Sequence, residues 1–265
     1  MTATISVEDR GFTLGDGVFD TAVALNGIVL ERERHVGRLL AAAHSLGIAV
    51  LRARVEAAID DAVTPEPAIV RTTVTRGCAA RGLWPLSAGE PTLVVTTSPW
   101  SPALLGQPAR LVTATGRRNE FSPTANLKTL GYLDHILAAR EAAAAGVDDA
   151  LILNTQGRVA CTTIANVFAL TGGKLRTPPL SEGCLPGVMR ARVMEIAPQL
   201  GLAAEERTLA PGDLKGADAV FLTNSVRFLR PATELDGTPL ATASSEAFAA
   251  LRYALLAEAG IEEKL

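Results

Sequence analysis

Two-residue turns built on glycine, set between short apolar runs, constrain this chain more than any other feature. Asn26-Gly27, Gln156-Gly157 and Gly172-Gly173 each separate two stretches that read as strands. Dipeptides of this kind supply the positive-φ residues of tight hairpins, so the strands they join should run antiparallel. Strands paired by hairpins, without strict strand–helix–strand alternation, argue against a doubly wound parallel sheet. The expected class is therefore α/β of an α+β-like kind, with hairpins and helices mixed in each half of the chain.

In chain order, residues 11–30, GFTLGDGVFDTAVALNGIVL, read as strand, turn and strand. Gly15-Asp16-Gly17 could turn around a phosphate, but no helix follows it. A helix is predicted over 33–46, with Val36, Leu39, Leu40 and Ala43 on one face and Arg34, His35 and Arg38 on others. A second helix over about 52–63 stops before Pro65 and Pro67. IVRTTVTRG, PTLVVTTSP and RLVTATGRR then alternate as strands. Arg81, in the turn between the first two, is either a solvated turn residue or a bidentate grip for a carboxylate.

Periodicity lapses over 119–127, which predicts a linker between an N-terminal domain, 1–118, and a C-terminal domain, 128–265. Lys128 stands just ahead of a helix predicted over 130–145. DDALILN and RVACTTIANVFALTGGKL follow as strands, and LPGVMRARVMEIAPQLG as a helix. The start of that helix, Pro186-Gly187-Val188-Met189, offers backbone N–H groups to an anion. ADAVFLTNSVRFLRPATELDG reads as a buried strand, a polar turn at Thr223-Asn224-Ser225 and a second strand, before a last helix over about 243–259.

A net charge of −3 without a basic block argues against nucleic acid or an anionic membrane as partner. Cys78, Cys161 and Cys184 are odd in number and far apart, and His35, His44 and His135 are scattered, so neither a disulfide framework nor a metal site is expected. With no spanning apolar run and no leader pattern, the chain reads as cytoplasmic.

Seven segments in order, DRGFTLGDGVFDT, RHVGRL, TRGCAARGLWP, RNEFSPTANLKTLGYLDHIL, GRVACTTIANVFAL, LPGVMR and FLTNS, resemble the class IV, fold-type IV pyridoxal-phosphate enzymes over about residues 9–237. That family holds branched-chain and D-amino-acid aminotransferases, (R)-selective amine transaminases and 4-amino-4-deoxychorismate lyases. The resemblance implies two mixed α/β domains with the cofactor in the cleft between them, and a homodimer. It implies that Lys128 holds pyridoxal 5'-phosphate as a Schiff base and moves the proton at Cα. It places Arg38, the backbone of Val188 and Met189, and Asn224 and Ser225 on the phosphate. Phe19, Arg81 and Leu83 fall on the substrate side.

One departure from the family pattern matters. Five residues before Asn166, where most members carry a Glu facing the pyridine nitrogen, this chain has Cys161. A thiol is a weak donor and does not keep that nitrogen protonated. RGCAARGLWP resembles the lyase loop R-G-x-G-G-R-G-Y, with Leu83 in place of the Tyr, and LPGVMR resembles the lyase G-[IV]-M-R. The expected function is lyase-like, releasing 4-aminobenzoate and pyruvate. The alternatives are an aminotransferase for D-amino acids, branched-chain amino acids or (R)-amines, and a cofactor-binding protein with little turnover.

Overall fold

The computed structural model describes residues 4–84 and 89–261, so Pro85 of the CAARGLWP turn lies outside the described residues. The chain divides into two compact units: Met1–Ser101 with Leu127–Tyr132, and Pro102–Asn126 with Leu133–Leu265.

The first unit contains α1 (Arg10–Leu14), β1 (Gly17–Leu25), β2 (Ile28–Val29), α2 (Arg32–Ser45), α3 (Arg52–Ala62), β3 (Ala68–Thr75) and β4 (Thr92–Pro99). Its strands form an antiparallel sheet in the order β2-β1-β3-β4. The β1–β2 turn has φ of 52° at Asn26 and 79° at Gly27, the two positive values a tight hairpin needs. Alternate residues of β1 and β3, Val18, Ala22, Ala24, Val70 and Val74, meet Val36, Leu39, Val55 and Ile59 of the two helices in one core. Each fully buried Val, Leu or Ile contributes about 1.5–3 kcal/mol. A one-residue slip would turn that whole set outward, so burial fixes the register.

Residues 10–14 are helical, not the strand expected there. The cause is local: the Asp9 carboxylate caps the first turn by accepting from Gly11 N at 2.7 Å, and Gly15 closes the last turn at φ 67°. Asp16, in the Gly-Asp-Gly turn, is clamped between Arg10 and Arg76, both at 2.8 Å. The turn thus presents its own carboxylate to two arginines.

The second unit contains β5 (Ala109–Arg118), α4 (Leu133–Ala144), β6 (Asp149–Asn154), β7 (Val159–Thr162), β8 (Asn166–Thr171), β9 (Lys174–Thr177), α5 (Val188–Ile196), β10 (Ala203–Glu206), α6 (Pro211–Lys215), β11 (Ala219–Asn224), β12 (Phe228–Leu235), β13 (Thr238–Pro239) and α7 (Glu246–Glu258). Its curled sheet runs β10-β9-β8-β11-β12-β5-β6-β7, with β13 beside β12. The β6–β7 and β8–β9 hairpins turn where Gly157 and the Gly172-Gly173 pair predict. Leu111, Leu151, Val167, Leu222 and Leu235 share one core. In another, Ala138 and Ala142 of α4 lie close against Ala114, Ala150, Ala160 and Cys161. Helix α4 begins at Leu133 and not at 130, because the preceding residues pair with β1.

Candidate active site

Lys128 is held in an extended segment, not on a helix. Its carbonyl accepts from Phe19 N at 2.9 Å, and Leu130 N donates to Gly17 O at 3.0 Å. Gly17 makes this approach possible, since a Cβ there would lie 2.6 Å from Val74 O and 2.8 Å from Leu130 Cδ1. The backbone pairing delivers the Lys128 side chain to the face of β1 that bears Phe19. Lys128 Nζ donates to Tyr132 Oη at 2.9 Å and sits 4.3 Å from the Phe19 ring centroid. The Phe19 and Tyr132 rings meet edge to face at 5.2 Å.

Burial, and after it the positive charge of Arg38, bring the Lys128 pKa from 10.5 down to about 8; Asp20 opposes the shift and Arg71 adds to it. An amine with that pKa is partly neutral near pH 7, as a nucleophile or a base must be. The Arg71 guanidinium lies 3.6 Å from the Phe19 centroid, a cation–π contact. Register explains its place: Arg71 pairs with Thr21 across β1–β3, diagonal to Phe19. Burial lowers its pKa, with Tyr132 opposing. Among the described residues no carboxylate pairs with it.

Arg38 lies in the same unit and shares the Asp20 carboxylate with His35. Both residues face the sheet, contrary to the helical-wheel expectation that put them elsewhere. Arg81, Leu83 and Trp84 are exposed, Leu83 by 84% and Trp84 by 80%, so Trp84 is not a core residue. Their loop is nonetheless pinned, because buried Arg10 donates to Gly82 O at 2.7 Å and to Leu83 O at 3.2 Å. Among the described residues no hydrogen bond or ion pair joins the Arg81 or Leu83 side chain to Lys128.

The second unit holds the other candidates. Asn166, at the start of β8, donates to Leu185 O at 2.9 Å. A Cβ on Gly187 would lie 2.1 Å from Asn166 Oδ1, so a larger residue there would have to displace the Asn166 amide. No side chain caps α5, which leaves the N–H groups of Val188 and Met189 at an open N-terminus. Thr223 is the cross-strand partner of Asn166 and shares its face of the sheet. The hydroxyls of Thr223 and Thr162 are buried with no hydrogen-bond partner among the described residues. Asn224 Oδ1 accepts from Val226 N at 3.0 Å and Arg227 N at 2.8 Å, shaping the turn that contains Ser225.

Cys161, on β7, is buried, and burial pushes its thiol up to about 12, with Arg118 opposing. It is a neutral thiol at neutral pH. Arg118 itself donates to Gly183 O and Ala125 O and lies 2.8 Å from His135 Nε2.

Sequence reasoning missed Asp20, Arg71 and Tyr132. Asp20 was legible as the one charge at a core-facing position between Val18 and Ala22. Arg71 depends on strand register, and Tyr132 on the extended path after Lys128. Among the described residues no group of three or more His, Cys, Asp or Glu could hold a metal ion, and no helix is long and apolar enough to cross a membrane.

The family profile for amino-transferase class IV matches residues 17–235. A putative branched-chain-amino-acid aminotransferase of Methanocaldococcus jannaschii is 34% identical over 244 residues, covering 89% of this chain and 84% of that protein. A solved structure of a putative 4-amino-4-deoxychorismate lyase from Legionella pneumophila matches with a TM-score of 0.86 at 30% identity, over 97% of this chain and 96% of the other. The branched-chain aminotransferase of the thermophilic archaeon Thermoproteus uzoniensis, solved with norvaline, matches with a TM-score of 0.88 at 27% identity, over 98% and 91%.

Proposed function

The chain belongs to the amino-transferase class IV family of pyridoxal-phosphate-dependent enzymes, and from that premise we propose that it acts at Cα of an amino-bearing carboxylate, as a 4-amino-4-deoxychorismate lyase-like enzyme. The observation that carries this reading is the Lys128 amine, its pKa near 8, sharing the Phe19 ring with an Arg71 cation that no carboxylate among the described residues pairs.

The residues suit the cofactor. In the first unit, Lys128 offers an amine for its aldehyde and Arg38 a guanidinium for its phosphate. In the second, the open start of α5, the Ser225 turn and the buried Thr223 hydroxyl, which shares a sheet face with Asn166, offer donors of the kind a phosphate needs. When bound, the cofactor supplies an electron-accepting ring that weakens the bonds at Cα of an attached amine. Lys128 then holds and moves the proton at Cα. Arg71 binds the substrate carboxylate, and Phe19 forms an apolar floor that keeps water from the amine.

Cys161 favours the lyase. By resemblance it would face the ring nitrogen, and a neutral thiol there would leave that nitrogen a weak electron sink. Release of pyruvate with formation of an aromatic ring tolerates this better than amino-group transfer does. The second reading, an aminotransferase, is favoured by the Methanocaldococcus relative. In the same reading the protein is a cytoplasmic homodimer. Leu133, Ile136 and Leu137 of α4, at 72%, 51% and 53% exposure, give an apolar stripe that supports an interface.

With 4-amino-4-deoxychorismate, the cofactor-loaded protein is expected to yield 4-aminobenzoate and pyruvate in equal amounts. Conversion of the cofactor to its pyridoxamine form by D-alanine, L-leucine or an (R)-amine, reversed by a keto acid, would instead establish the aminotransferase. Arg71→Met is expected to raise KM for carboxylate substrates about 10- to 100-fold, the loss of a charge-assisted pair, with kcat changed only a few-fold. An unchanged KM takes Arg71 out of the site.

A further inference from the structure

Asp20 is the one acidic residue of β1, and it lies on the helix-covered face between Val18 and Ala22 at 4% exposure. Its carboxylate accepts from Arg38 Nε at 2.8 Å, Arg38 Nη2 at 2.9 Å and Thr21 N at 2.7 Å, and lies 2.6 Å from His35 Nδ1. Because a carboxylate only accepts, that His35 nitrogen carries the proton. Residues 35 and 38 are one turn apart on α2, so a single carboxylate ties both side chains to the sheet.

Burial opposes ionisation of Asp20, yet the His35 hydrogen bond and the Arg38 charge hold its pKa below the usual carboxylate value. An isolated charge there would be costly, and the pairing with His35 and Arg38 is what offsets it. Arginine loses considerable rotamer freedom when fixed, and a two-point grip on a carboxylate fixes the plane of the fork.

We propose that Asp20 is a positioning residue for the cofactor phosphate, acting through Arg38 by holding its guanidinium in one orientation. This rests on the reading of Arg38 as a phosphate-binding residue. Electrostatics alone predicts the opposite effect, since a carboxylate near a phosphate repels it. The sign of the result therefore separates orientation from field.

The test is a cycle of D20N, R38A and the double variant in the full chain stripped of cofactor. Each is titrated with pyridoxal 5'-phosphate and with pyridoxal, which lacks the phosphate, following the tryptophan fluorescence. R38A is expected to weaken pyridoxal phosphate about 100-fold and D20N about tenfold, with pyridoxal little changed in either. In the R38A background D20N should have an effect of less than about twofold, because its partner is gone. Equal losses in both backgrounds, equal losses with both ligands, or tighter binding in D20N each overturn the proposal. If R38A leaves the affinity unchanged, the reading of Arg38 fails first and the proposal falls with it. Circular dichroism checks that D20N is folded. If it is not, D20E keeps the charge but shifts the fork by one methylene, and the same dependence on Arg38 is required of it.

Discussion

Lys128→Met is expected to lower turnover by roughly 10⁴-fold or more while making the cofactor-free protein more stable at pH 7. The two effects have one origin. Held at a pKa of about 8, the amine is neutral in about one molecule in ten at pH 7, against fewer than about one in a thousand at the ordinary 10.5. That readiness as nucleophile and base comes from a buried environment that disfavours the ammonium.

The sign of the linkage follows from proton counting. Between pH 8 and 10.5 the unfolded chain keeps the proton on Lys128 and the folded chain has lost it, so stability rises with pH across this window. Below pH 8 both states are protonated and the full penalty applies. A shift of this size corresponds to at most about 3–4 kcal/mol, and partial access to water reduces it to about 1–3 kcal/mol. Urea unfolding of the apoproteins at pH 7 should show Lys128→Met ahead by that margin, and at pH 10.5 the margin should have nearly closed. A variant no more stable at pH 7, or one whose advantage grows with pH, would mean that burial does not set the pKa of the amine.

What was legible in the sequence is what local chemistry decides. The hairpins at Asn26-Gly27, Gln156-Gly157 and Gly172-Gly173 form because glycine and asparagine accept the positive φ such turns need. Helix α1 was not legible. Its five residues carry no periodicity, and it exists because Asp9 and Gly15 cap it from outside. The start of α4 was misplaced for a similar reason, since 128–130 are drawn out of the helix by hydrogen bonds to β1 more than a hundred residues earlier. At the candidate site, Lys128 was singled out by resemblance, and the start of α5 by Pro186-Gly187 and the rule for helix ends. Arg71 was not, because one slip of β3 against β1 would remove it from Phe19. Local signals name the groups, and register decides which of them meet.

Register also underlies the largest stability effect expected in the second unit, Phe221→Ala. Phe221 is fully buried and directly opposite Phe168 across β8–β11, their rings stacked at 5.2 Å with 5° between planes. Phe248 of α7 leans on the same ring at 5.4 Å, in a helix whose first turn is capped by Ser245 accepting from Phe248 N at 3.2 Å. Loss of a buried Phe side chain costs about 3–5 kcal/mol, and the upper part of that range applies where neighbours do not collapse into the space. Here they are held: Phe168 by its central strand and Phe248 by a capped helix. That cost is a large share of the roughly 5–15 kcal/mol that keeps a domain folded. Phe221→Leu, which refills most of the volume, should cost about 1–2 kcal/mol. Because Phe221 lies two residues before Thr223 and three before Asn224 on β11, Phe221→Ala should also loosen the Ser225 turn and weaken retention of the cofactor, whereas Phe221→Leu should not. The two denaturation midpoints and the cofactor lost on dialysis check both statements. A cost below about 1 kcal/mol for Phe221→Ala would show that the aromatic stack closes over the gap and that β11 does not depend on it.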